Sequence, residues 1–194
     1  MGTRLCAASW VLLAGCAQRV APKPADFVLT IQPMGRVSKR TIAVVESAVR
    51  STYNIKFAVD PPIPFPARAW YAPRKRWLAD VLAAQRPASP ACRTLFVVSQ
   101  DISRPAHGYT NYGTLGLGTA NGNAVVSTFR MRGDELLLSK ITIHEMGHVF
   151  GLPHCPNPSC VMQDLKGRAA TLDNASGFCP NCRAKIARWL RPTT

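Results

Sequence analysis

Apolar residues recur along this chain at two spacings, and the change from one to the other marks out its elements. The run Phe27-Val28-Leu29-Thr30-Ile31 reads as a strand, closed by Pro33 and Gly35. From Lys39 to Ser51 the apolar positions Ile42, Val45, Ala48 and Val49 share one face of a helix, with Ser38 placed as its N-cap. Ile55 to Val59 alternates as a second strand, and the prolines between Pro61 and Pro66 impose an extended loop. Arg74 to Gln85 fits a second helix burying Trp77, Leu78, Val81 and Leu82. Thr94 to Ser99 is a third strand, apolar enough to be central. Gly113 to Gly118 is glycine-rich and strand-like, and Asn121-Gly122 is a hairpin turn joining it to Ala124–Phe129. Glycines in a strand mark a close approach by another backbone. A long helix follows from the N-cap Asp134 to Phe150, with Leu137, Ile141, Met146 and Val149 toward the core, and a last helix covers Asn181 to Leu190.

Length and charge narrow this picture only slightly. The 194 residues suit one domain with a proper core, here 26–194, and no apolar run is long enough to span a membrane as a mature helix. A net charge of +14 is compatible with nucleic acid, anionic lipid or acidic substrates. No nucleic-acid-binding signature interleaves the basic residues with aromatics, so no nucleic-acid partner is expected, and a soluble basic monomer is the plainer reading. The first residues add more. Arg4, the apolar stretch Leu5–Leu13 and Leu13-Ala14-Gly15-Cys16 read as a lipoprotein signal over 1–15, with Cys16 the lipidated residue and 16–25 a tether. That implies a bacterial outer-membrane anchor facing the periplasm; a buried N-terminal helix is the alternative.

The chemistry is concentrated in one stretch. Three of the four histidines lie within the eleven residues His144 to His154. One helical turn separates His144 from His148, so both imidazoles can reach one metal, with Glu145 beside them as general base. A continuing helix would carry His154 about 15 Å from His144. Gly151 and Pro153 are placed to end the helix and return the chain.

The string H-E-x-x-H-x-x-G-x-x-H resembles the metzincin signature, and its continuation C-x4-C-x-M followed by C-x-x-C resembles the archaemetzincins. The segment Gln163–Phe178 is one residue shorter than its archaemetzincin counterpart. The resemblance covers about Phe27 to Leu190. It implies an α/β (α+β-like) fold: a mixed twisted sheet of about five strands with an antiparallel edge strand, an active-site helix and a C-terminal helix. It further implies a catalytic zinc on His144, His148 and His154, Glu145 as catalytic base, and Met162 as the methionine of a turn beneath the metal. Substrate peptide would pair along the edge strand Thr114, Leu115, Gly116, Leu117 and Gly118; an ordinary bulged hairpin is the alternative.

The resemblance also implies a second, structural zinc on Cys155, Cys160, Cys179 and Cys182, whose spacing here suits four thiolates around one ion. In an exported protein these cysteines can instead form two disulfides. Cys92 reads as buried and inert, and His107 as part of a polar loop away from the metal. The expected function is zinc-dependent peptide hydrolysis, endo- or aminopeptidase. The rivals are a catalytically weak peptide-binding lipoprotein and a structural one whose metals only brace the fold.

Overall fold

In the computed structural model, residues 27–166 and 169–191 are described. The expected signal at 1–15 and the expected tether at 16–25, with Cys16, lie outside them. The expected α/β architecture with a five-stranded mixed sheet is present. Strands β1 (Val28–Pro33), β2 (Lys56–Val59), β5 (Cys92–Val98), β8 (Gly116–Gly118) and β9 (Ala124–Ser127) lie in the order β2-β1-β5-β9-β8. All neighbours run parallel except β8, which is antiparallel to β9 at the edge. β5 is central, as its unbroken apolar run implies. Its side chains alternate between faces, Leu95 and Val97 toward one buried cluster, Phe96 and Val98 toward another.

Helices α1 (Lys39–Thr52) and α3 (Glu135–Val149) pack together on the first face. Both begin where their caps say. The Ser38 hydroxyl accepts the Thr41 N–H at 3.0 Å and the Asp134 carboxylate accepts that of Leu137 at 2.9 Å, each worth about 1 kcal/mol. In α3 it is Leu138 that is fully buried, with Leu137 only partly so.

Three stretches depart from the sequence reading. Arg74–Gln85 is not one helix: β4 (Arg76–Leu78) leads into a short α2 (Ala79–Ala83). Tertiary pairing overrides helical periodicity, because the Trp77 N–H donates to the Asp101 carbonyl at 2.9 Å and β4 lies parallel to β6 (Ile102–Ala106). Second, β6 and β7 (Tyr109–Thr114) form a hairpin turning at His107-Gly108, both at positive φ (52° and 78°). With β3 (Trp70–Tyr71) they complete a second sheet, β3-β4-β6-β7, that the sequence reading lacked. Third, α4 (Pro180–Lys185) stops short of Leu190. The tail is drawn to the end of α1, where the Asn54 N–H donates to the Trp189 carbonyl at 2.8 Å.

Candidate metal centre and active site

The end of α3 builds the three-histidine site. Gly151, at φ +98°, closes the helix in a Schellman motif: its N–H donates to the His148 carbonyl and that of Leu152 to the Gly147 carbonyl, both at 2.9 Å. The chain therefore doubles back. His154 returns beside His144 and His148, and the three offer ring nitrogens within 4.8 Å of one another. The Schellman turn also aims the Leu152 carbonyl at His148, whose Nδ1–H donates to it at 2.7 Å. His144 Nδ1–H donates to the Val161 carbonyl at the same distance.

Those two bonds decide the tautomers, since a carbonyl only accepts. Each ring then presents a bare Nε2, and the two Nε2 atoms face each other at 3.1 Å. Lone pairs so opposed have no hydrogen between them. A tetrahedral zinc with bonds of 2.0–2.1 Å holds two nitrogens roughly 3.3 Å apart, so this donor set fits such an ion. Burial, reinforced by His148 and His154, pushes the His144 imidazole down to about 3, and burial lowers His148 as well. Both rings are thus neutral at pH 7, the form that binds metal. His154 is the exposed member, with Nδ1 3.9 Å from an Asp164 oxygen.

Glu145 is buried between the helix and β8. Burial raises its carboxyl to about 8, opposed by Arg104 and by a hydrogen bond from the Gly118 N–H. The strand glycines make room for it. A Cβ on Gly116 would stand 2.6 Å from Glu145 Oε1, and one on Gly118 would stand 2.2 Å from the Glu145 carbonyl oxygen. The proposed edge strand is shorter than Thr114–Gly118. Thr114 ends β7, the Leu115 carbonyl accepts the Ser127 N–H of β9 at 2.8 Å, and the strand paired in register with β9 is Gly116–Gly118; the Thr114 hydroxyl donates to the Gly116 carbonyl at 2.8 Å.

Below the histidines, Met162 is fully buried against Gly147, where a Cβ would meet its sulfur at 2.4 Å. The Met162 carbonyl accepts the Cys155 N–H at 2.8 Å. Cys155, Cys160, Cys179 and Cys182 bring all four sulfurs within 4.8 Å of one another, with Cys155 and Cys179 3.8 Å apart. Sulfurs bound tetrahedrally at about 2.3 Å stand roughly 3.8 Å apart. Two disulfides would draw them into separate pairs, whereas here all four converge. The Cys182 N–H pulls the Cys179 thiol down to about 7, while burial drives Cys160 and Cys182 up. Four thiolates so close repel, and a bound dication relieves that. Cys92, expected to be buried, is half-exposed where β5 begins.

The histidines open onto a cleft of about 550 Å³ between β8, the β6–β7 hairpin and the Asp164–Lys166 loop. The Tyr112 hydroxyl donates to the Lys166 carbonyl at 3.3 Å, so the hairpin and this loop meet across it.

The model of peptidase family M54 matches residues 92–188, half of the chain. An archaemetzincin of Pyrococcus horikoshii is 33% identical over 135 residues, which span 62% of this chain and 70% of that protein. The chain belongs to peptidase family M54. An archaemetzincin of Pyrobaculum aerophilum is 47% identical over 70 residues, but that match spans only 34% of this chain and 44% of the relative. The crystal structure of archaemetzincin from Archaeoglobus fulgidus, complexed with malonate, superposes with a TM-score of 0.70 at 28% identity, covering 82% of this chain and all of that one.

Within this M54 chain, sequence reasoning missed one wall of the cleft. Arg104, Arg132 and Lys166 line it, and so does His107, although the sequence places it in a polar loop away from the metal. Arg104 lies forty positions before His144, next to Pro105 in a strand that the proline hid. The carbonyls of Leu152 and Val161, which orient the histidines, carry no signal in a side-chain alphabet.

Proposed function

We propose that the chain is a zinc-dependent peptidase whose catalytic ion is held by His144, His148 and His154. The observation that carries this is the pair of bare Nε2 atoms at 3.1 Å, each ring tied back through Nδ1. Zinc supplies two things there: it acidifies water and polarises the substrate carbonyl. Glu145, beside the histidines and beneath β8, takes the proton of the attacking water and returns it to the departing amine. Arg104 and the Gly118 N–H stabilise the charged form of Glu145. Met162 is a buried floor, and β8 is the strand on which an extended peptide would pair its backbone.

A second zinc on Cys155, Cys160, Cys179 and Cys182 is structural, since four protein ligands leave no open position. At the other end of the chain, the lipobox at Cys16 supports attachment to the bacterial outer membrane. Metabolic labelling of the full chain with a fatty acid should tag the wild type and not Cys16→Ser; equal labelling, or none, removes the anchor.

Glu145→Ala tests the enzymatic reading. On a peptide library it should lose about 10²- to 10⁴-fold in turnover while keeping its zinc and binding peptides. Equal turnover by wild type and variant would reject catalysis by Glu145.

A further inference from the structure

The cleft carries an arginine, Arg104, that forms no ion pair among the described residues. Arg104 sits half-buried on β6, opposite Tyr112 of β7, and lines the same cleft as His144, Glu145 and His148. Two acids of this half of the molecule are engaged by other groups. Asp101 is shared by Arg76 at 2.9 Å and Arg130 at 2.7 and 2.8 Å. Asp164 faces His154. Among the described residues no carboxylate lies within ion-pair distance of the Arg104 guanidinium. Its field does reach Glu145 and His148, so it stands on the catalytic side of the cleft. Arg132 and Lys166 add positive charge on the same rim.

A partly desolvated guanidinium with five N–H donors and no acceptor is costly unless something binds it. The complement is a carboxylate, which it takes through two parallel hydrogen bonds. We propose that Arg104 is a specificity residue that binds a substrate carboxylate close to the scissile bond, so that the cleft selects peptides with an acidic side chain or a free C-terminus there. This rests on the peptidase reading above. It also gives the basic composition of the cleft a use that net charge alone did not require.

Peptides in matched pairs test it, with Glu against Gln at each position flanking the cut and a free against an amidated C-terminus. For the zinc-loaded wild type, the acidic member of one pair type should lead in kcat/KM by about ten- to a hundredfold. Whether that is the Glu/Gln or the acid/amide pair identifies the source of the carboxylate. Arg104→Gln should bring the ratio close to one, and Arg104→Lys should retain part of it, keeping the charge and losing the fork. Wild-type ratios near one, or a ratio that survives in Arg104→Gln, overturn the proposal. So does a uniform fall on both members of every pair, which would make Arg104 a positioning residue for Glu145. Binding of the same pairs to zinc-loaded Glu145→Ala, followed by fluorescence anisotropy, separates the two readings. A preference for the acid there without any wild-type cleavage sinks the peptidase and keeps the carboxylate site; cleavage without that preference does the reverse.

Discussion

His154 and Cys155 are joined by one peptide bond, yet they belong to centres of opposite design. The histidine centre opens on a cleft: His144 is buried, His148 half-buried and His154 exposed, and a carboxyl stands beside them. The cysteine centre is closed, with Cys160, Cys179 and Cys182 buried and the four sulfurs facing inward on one another. An open three-ligand set leaves room for water and substrate, whereas a filled four-ligand set contributes folding energy. The same short segment serves both. The Val161 carbonyl orients His144, and the Met162 carbonyl holds the Cys155 N–H. One short segment thus ties the cysteine cluster to the histidine set.

If so, damage should run in one direction. Cys182→Ser is the severest perturbation: loss of a structural ligand should cost more than about 5 kcal/mol, a fall of over about 10 °C in melting temperature, and take activity with it. An unchanged melt would mean that these sulfurs hold nothing together. Glu145→Ala is the opposite case, expected to cut turnover by about 10²- to 10⁴-fold while shifting the melt by only a few degrees.

Gly118→Ala falls between them. The new Cβ would stand 2.2 Å from the Glu145 carbonyl oxygen and 3.0 Å from His148 Cβ, so α3 and β8 must separate. The cost is about 1–3 kcal/mol, with reduced turnover and full retention of the cysteine-bound zinc, measurable by spectroscopy after cobalt exchange. Loss of that second metal would break the distinction between the centres.

A further effect is a pH dependence of the metal-free protein. Burial raises the folded Glu145 carboxyl to about 8 from an ordinary value of 4.5. The folded state therefore binds the proton more tightly, and its stability relative to Glu145→Gln should be greatest below pH 4.5 and decline as pH rises toward 8. Paired denaturant melts of the two metal-free proteins would show it; a difference that grows with pH contradicts the burial of this carboxyl.

What was legible in the sequence follows from how local each signal was. The caps Ser38 and Asp134, the turn at Asn121-Gly122 and the helix stop at Gly151 act within a few residues of themselves. The candidate metal ligands were legible for the same reason, because six of the seven lie from His144 to Cys179 at the spacing of the motif, and Cys182 stands three residues on. The stretch Arg76–Leu78 was misread as helix because its partner, Ile102–Ser103, is distant in sequence and is itself masked by Pro105. With that strand went Arg104 and the cationic wall. The glycines of β8 were legible as a close approach, but not that Glu145 was what approached.

The central claim, one open and one closed zinc centre, is tested most directly by zinc content and free thiols measured together on the purified chain from residue 26 onward. The account predicts two zinc ions per chain, with Cys155, Cys160, Cys179 and Cys182 unreactive until denaturation with a chelator releases four thiols. One zinc per chain, with no thiol released from those four cysteines, would contradict it.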